Sequence, residues 1–279
     1  MSGLYKEIIG VIHLPRLPCL YAKSSHDLSI IVEQAVNEAR ILEKLGYSGV
    51  IVENYGDKPY LKRVRDPLII ASMSIIVKEV VRSTGLKVGV NLLRNSGREA
   101  YSIAYAAGAK FIRVNALVET IVSDSGIIEP EAPRLKPLLL NYPGVEVYAD
   151  IFVKHAFSLR ALALTTEAPS YLLKGSREDF LREIIEDYVN RGGASALIVT
   201  GPRTSEPPQL ELIKLVKNNS SVPVFSGSGA NPSNICAMLK YCDGVIVGSF
   251  LKKNGLAGNP LDPERAEVFI RSAKECIEK

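Results

Sequence analysis

The chain has 279 residues, 47% hydrophobic and 23% charged, enough to bury one large core or two smaller ones. Its 34 basic and 30 acidic residues leave a formal charge of +4, with the basic ones scattered, which suits an anionic small molecule and gives little support to nucleic acid as the main partner. Apolar runs break well short of the roughly 18 residues of a membrane span, and 3 histidines with 4 well-separated cysteines exclude a multi-His metal centre or a zinc site.

In chain order, the β-branched run Ile8 to His13 reads as a first strand, stopped by Pro15. Asp27 is a candidate cap for a helix over Leu28 to Leu45, with Ile31, Ala35, Ala39 and Leu42 at helical spacing and Gly46 as its stop. A second strand spans Gly49 to Glu53, and the Asp66-Pro67 pair opens a helix ending near Gly85. Strands follow at Lys87 to Leu92 and Lys110 to Asn115, with a helix between them ending at Gly108. The connection through Ser123-Asp124-Ser125-Gly126 to Glu129 is long, and long loops in compact domains are often functional. A helix over Ala132 to Leu140 is interrupted by Pro133 and Pro137. A strand over Glu146 to Phe152 ends in Val153-Lys154-His155. Helices are expected at Ser158 to Thr166 and Arg177 to Arg191, then a strand at Ala196 to Thr200 and a helix at Pro208 to Asn218. The last strands, Val222 to Phe225 and Gly244 to Val247, flank a helix from Asn231-Pro232 to Lys240. A terminal helix starts at Asp262-Pro263.

Strands alternate with helices eight times, and each strand is a short continuous apolar run, as in a sheet buried on both faces. No linker-like break appears between residues 1 and 279, so a single (β/α)8 TIM barrel is expected, with a doubly wound open sheet as the alternative. The cysteines read as separate, reduced side chains. The N-terminal apolar run is too short for a secretory signal, which points to the cytoplasm.

In such a barrel the chemistry sits where the strands end. Those ends carry His13, Glu53, Asn54, Asn91, Arg94, Arg113, Asn115, Asp150, Lys154, His155 and Thr200, polar groups that must be paired or put to use. Glu53 and Asp150 are general acid or base candidates, or else satisfied partners of Arg113 or Lys154. Lys154 is a Schiff-base nucleophile or an anion contact, and His155 and His13 are acid–base or hydrogen-bonding residues. Asp124 and Glu129 could join Glu53 or Asp150 in holding a divalent metal such as magnesium, although a solvated loop explains them as well. The turns Gly227-Ser228-Gly229 and Gly248-Ser249, after the last two strands, have the form that holds a phosphate on backbone amides, with Lys252 adding charge. On this reading Gly229→Glu blocks phosphate binding without unfolding the barrel.

The blocks GVIHLPRLP, GVIVENYGDKPY, GVNLLRN, GAKFIRVNALVETIVSDSGIIE, YADIFVKHA, ALIVTG, PVFSGSGANPSNI, DGVIVGSFLKKNG and NPLDPERAEVF, in that order, resemble the BtpA/SgcQ family from about Gly10 to Phe269. The family is similar to the ribulose-phosphate-binding barrels. It takes its name from a cyanobacterial factor for photosystem I accumulation, while SgcQ-like members resemble sugar-phosphate enzymes. Cys19, Ser123 to Gly126, Pro130 and Ser205 depart from the family pattern, all in loops. The resemblance implies no settled reaction; taken with the strand-end residues and glycine turns, it leads to the expectation of an enzyme acting on a sugar phosphate or related metabolite by proton-transfer or aldol-type chemistry, with His13, Asn91, Arg113, Asn115 and Asp124 contacting substrate. The alternative it implies is a non-catalytic biogenesis factor for a membrane protein complex. The expected partner is a phosphorylated small molecule, with self-association into a homo-oligomer and no membrane insertion.

Overall fold

The computed structural model describes residues 6–20, 27–151, 156–159, 176–201 and 205–278. In chain order its strands and helices are β1 (Glu7–His13), α1 (Leu28–Leu45), β2 (Gly49–Glu53), α2 (Pro67–Ser83), β3 (Lys87–Asn91), α3 (Gly97–Ala107) and β4 (Phe111–Val114). They continue with β5 (Ile121–Ser123), β6 (Gly126–Ile128), α4 (Ala132–Asn141), β7 (Glu146–Ile151), β8 (Ala156–Ser158) and α5 (Arg177–Glu186). The rest are β9 (Ala196–Val199), α6 (Leu210–Asn219), β10 (Val224–Ser226), α7 (Ile235–Leu239), β11 (Gly244–Val247) and α8 (Pro263–Ile277).

Eight of the strands close into a parallel barrel in the order β1-β11-β10-β9-β7-β4-β3-β2, so the open-sheet alternative falls away. The strands read as unbroken apolar runs because both faces are buried, and the pleat sorts them into two cores. Ile8, Ile12, Val50, Val52, Val88, Val90, Ile112, Val147 and Val245 pack outward against the helices. Ile9, Val11, Ile51, Phe111, Tyr148, Ile198, Phe225 and Ile246 fill the barrel. Gly89 makes room for the Phe111 ring, which would lie 2.3 Å from a methyl group at that position.

The caps divide into those the sequence shows and one it hides. Asp66 accepts from Leu68 N with Pro67 in the first turn, and Asp262 accepts from Glu264 N and Arg265 N. Gly46 ends α1 at φ +90. Asp27 stands at the start of α1 without a side-chain cap bond, whereas Ser176 and Asp179 form a capping box on α5.

Three differences from expectation matter. The long connection after β4 folds as a β5–β6 hairpin, which β8 extends to a three-stranded antiparallel sheet. The helix expected from Ser158 onward begins in β8 and otherwise lies outside the described residues. Cys236 on α7 and Cys276 on α8 form a disulfide, with Cα atoms 5.1 Å apart across a sequence separation of 40. That corrects the reading of four separate reduced cysteines, which followed from spacing alone, whereas the two meet because their helices pack side by side. Among the described residues, no helix is long and apolar enough to cross a membrane.

Candidate functional site at the C-terminal mouth

The phase of the barrel interior carries straight into the mouth. A step of two from Val11 reaches His13, and from Ile51 reaches Glu53. The same step from Gly89, Tyr148 and Ile198 reaches Asn91, Asp150 and Thr200, while Phe111 leads to Arg113 and then Asn115. All seven are buried. The structure therefore brings His13, Glu53, Asn91, Arg113, Asn115 and Asp150 to one end of the barrel. Lys154 and His155, read as part of the same set, lie outside the described residues.

Two carboxylates organise this ring. Asp150, fully buried, accepts from Arg113 Nε at 2.9 Å, Arg113 Nη2 at 3.1 Å and Asn115 Nδ2 at 2.8 Å. Burial alone would pull the Arg113 pKa down. The contact and charge of Asp150, with Glu53 beyond, outweigh it and hold the guanidinium above its ordinary value. Asp150 thus takes the ion-pair role that stood beside its acid–base reading. Glu53 accepts from Asn91 Nδ2 at 2.7 Å, and its other oxygen lies 3.8 Å from His13 Nε2.

Each asparagine gives its NH2 to a carboxylate and leaves its carbonyl oxygen without a partner. Asn91 Oδ1, Asn115 Oδ1 and the neighbouring Arg94 Nε are three of the five buried polar side-chain atoms left unpaired among the described residues. The others are Glu7 Oε2 and Ser72 Oγ. Buried acceptors without donors cost about 1–3 kcal/mol each unless something meets them.

The two glycine turns border this ring. A methyl group at Gly227 would lie 3.5 Å from Arg113 Nη2, and one at Gly248 would lie 3.3 Å from His13 Cε1. They are laced together through the loop after β9. Ser228 Oγ accepts from Gly201 N at 2.8 Å and donates to Glu206 O at 2.9 Å, and Ser205 Oγ donates to Ser249 Oγ at 2.8 Å. The Ser228 hydroxyl is therefore a structural tie, which leaves that turn its backbone for an anion. Gly229 has φ +67, and a side chain there would strike the backbone of Glu206 and Pro207 at 2.1–2.5 Å. Gly229→Glu would thus distort the loop after β9 as well as place charge at the turn.

Two further residues stand apart from their expected roles. Lys252, expected to add charge to a phosphate site, is 0% exposed and gives its ammonium to Glu38 Oε2 at 2.7 Å. Burial draws its pKa down, partly offset by Glu38. The chain turns back after β11 to bridge Leu261, and this carries the side chain to α1. Asp124, expected on substrate or metal, lies on the hairpin turn with its side chain 67% exposed and is held by Arg94 at 2.8 Å. Glu129 pairs with Arg63 at 3.4 Å. Among the described residues no group of three or more His, Cys, Asp or Glu could hold a metal ion.

Sequence reasoning named Arg94 but missed Tyr55, Tyr60 and Gly258 as neighbours of the ring. The Tyr55 ring lies 4.4 Å from that of His13, and Arg94 stacks 4.8 Å above Tyr60. Gly258 donates its amide to His13 Nδ1 at 3.2 Å. The tyrosines follow a strand end that was already marked, and a pass along the loop beyond Glu53 could have raised them. Nothing in the sequence ties Gly258 to His13, 245 residues away.

Comparison with known proteins agrees with this architecture. The chain is 38% identical to an uncharacterized protein of Methanocaldococcus jannaschii over 97% of this chain and 96% of that one. It is 36% identical to the photosystem I biogenesis protein BtpA of Synechocystis over 98% of this chain and 90% of that one. Among solved structures it resembles N-(5'-phosphoribosyl)anthranilate isomerase from Pyrococcus furiosus, with TM-score 0.56, 17% identity, and 96% and 99% of the two chains covered. It is also similar to (S)-3-O-geranylgeranylglyceryl phosphate synthase from Thermoplasma acidophilum, solved with sn-glycerol-1-phosphate, with TM-score 0.55, 15% identity, and 97% and 94% covered. These structural likenesses speak for the barrel alone. The BtpA family model matches residues 4–275, and with relatives of this similarity along nearly the whole length, the chain belongs to the BtpA family.

Proposed function

We propose that this barrel is an enzyme that binds a sugar phosphate or related phosphorylated metabolite at its C-terminal mouth and acts on it by proton transfer or aldol-type chemistry. One observation carries the reading: two glycine turns laced together on adjacent strands border a buried polar ring whose Asn91 and Asn115 carbonyls have no donor. Backbone amides at Gly227, Ser228, Gly229, Gly248 and Ser249 would meet the phosphate. The unpaired carbonyls would accept substrate hydroxyls, which are donors, and Glu53 would be the acid or base. Phosphorylated substrates named for similar barrels, such as sn-glycerol-1-phosphate, are in keeping with this.

The test is a thermal-shift screen of phosphorylated metabolites, with and without magnesium, on the parent and on Ser249→Asp. Ser249 is half-buried, and a carboxylate there would repel a phosphate without entering the core. The parent should be stabilised by one class of sugar phosphate and the variant should not. Equal protection of both would remove the phosphate from these turns.

A second reading follows from the name of the Synechocystis relative, a photosystem I biogenesis protein. A non-catalytic assembly role predicts that Glu53→Gln and Lys154→Met leave function intact, whereas the enzyme reading predicts that both abolish it; Asp150→Asn does not separate the two, because it strands the buried Arg113 guanidinium.

A further inference from the structure

His13 is held by groups from both ends of the chain. Glu53 on β2 faces its Nε2 at 3.8 Å, the Tyr55 ring of the following loop lies beside it, and Gly248 after β11 backs its Cε1. On the other side the Gly258 amide points at Nδ1, 3.2 Å away. A backbone amide can only donate, so Nδ1 must present its lone pair, and a proton on Nδ1 would oppose the amide hydrogen. The ring hydrogen is thereby placed on Nε2, toward Glu53. Gly258 has φ +95, and a methyl group there would lie 2.8 Å from Tyr55 Cε1, so the loop's position depends on glycine.

We infer that Gly258 fixes His13 as a neutral imidazole with its hydrogen on Nε2, and that His13 and Glu53 together carry out enolisation of a carbonyl substrate. The inference rests on the sugar-phosphate reading above and narrows it from two reaction types to one. His13 and Glu53 are register partners on adjacent strands, so a substrate's carbonyl oxygen and the carbon beside it, two bonds apart, can face one each. Glu53 removes the hydrogen from that carbon. The C–H electron pair becomes the new C=C bond, and the carbonyl π pair moves onto oxygen. That oxygen gains negative charge and accepts from Nε2–H, which stays on the ring. Return of the proton from Glu53 to the neighbouring carbon, with a hydroxyl proton passing between the two oxygens, gives the isomer. No oxidant or reductant is needed. Gly258 acts as a positioning residue.

The tautomer is read without any ligand, by long-range 1H–15N correlation of the imidazoles in 15N-labelled full-length protein at neutral pH, with His13→Gln assigning the signal. Nδ1 should resonate as a pyridine-type nitrogen and Nε2 as a pyrrole-type one. The opposite tautomer, or two pyrrole-type nitrogens of an imidazolium, overturns the inference. Gly258→Ala should bring in the Nδ1–H form, and an unchanged spectrum removes Gly258 from the role. For the chemistry, the sugar phosphate giving the largest thermal shift is incubated with the protein in D2O. Deuterium should enter the carbon beside the carbonyl, with loss in Glu53→Gln and a fall of about a hundredfold in His13→Gln. A ligand that binds but takes up no deuterium, or that borohydride fixes to a lysine, overturns enolisation and leaves the binding reading standing. Failure of every sugar phosphate to bind sinks that reading while the tautomer result stands by itself.

Discussion

The two ends of this barrel are built from the same eight strands and solve opposite problems. At the N-terminal end Lys87 Nζ donates to the Tyr148 hydroxyl at 2.7 Å and pairs with Glu146 at 2.9 Å and Glu7 at 3.6 Å. Tyr148 stacks on Phe111 with centroids 4.5 Å apart and tilts against Phe225 at 5.2 Å. That end is plugged by rings and charge, and although Glu7 leaves one oxygen without a donor, Lys87 already meets its charge. At the C-terminal end the carboxylates are matched and the amide carbonyls are not. The difference teaches that the floor is closed by its own side chains, whereas the mouth presents two buried acceptors that no described side chain meets.

The sharpest way to break this comparison is at the floor. Phe111→Ala should cost about 3–5 kcal/mol by opening a cavity, read by urea unfolding, while leaving the sugar-phosphate thermal shift in place. Loss of that shift as well would show that the ends are not separate. Alkaline titration comes next. Burial, partly offset by Lys87, pushes the Tyr148 pKa up to about 12. A raised pKa contributes stability that is complete below the unfolded value of about 10 and is lost as pH climbs through the folded one. The Tm should therefore fall between about pH 10 and 12, and Tyr148→Phe should flatten that limb. Equal slopes in both proteins would place the alkaline transition elsewhere.

At the mouth the expected balance is reversed. Asn115→Leu removes one bond to Asp150, which keeps both bonds from Arg113, so it should cost about 1–2 kcal/mol and abolish the ligand shift. A full ligand response in this variant would mean that its carbonyl meets no substrate group. Ser249→Asp should change stability least, within about 0.5 kcal/mol, and still eliminate phosphate-dependent protection.

Much of the barrel was legible because each parallel strand is a short apolar run closed by a polar tip, and the residues from His13 to Asp150 were found by reading those tips. What the runs concealed was their phase. With both faces buried, Ile8 and Ile9 look alike, although one meets α1 and its layer and the other fills the barrel. The hairpin escaped notice because Ile121–Ser123 and Gly126–Ile128 are three residues each, too short for alternation to show. Lys252 was misplaced because strand position says where a residue starts and not where a long side chain ends, here at Glu38, 214 residues earlier. The Cys236–Cys276 bond and the Gly258 amide on His13 depend in the same way on tertiary approach, which local pattern does not encode.

The barrel closes where β1 meets β11, through pairs such as Gly10 with Val247, and His13 and Gly248 come together just beyond that seam. β1 is synthesised long before β11 and therefore waits for it before this corner of the mouth exists at all. Fragments lacking either end cannot hold it. A circular permutant opened in the turn between α4 and β7, with its old ends spliced, would synthesise the seam as one continuous piece and assemble it early.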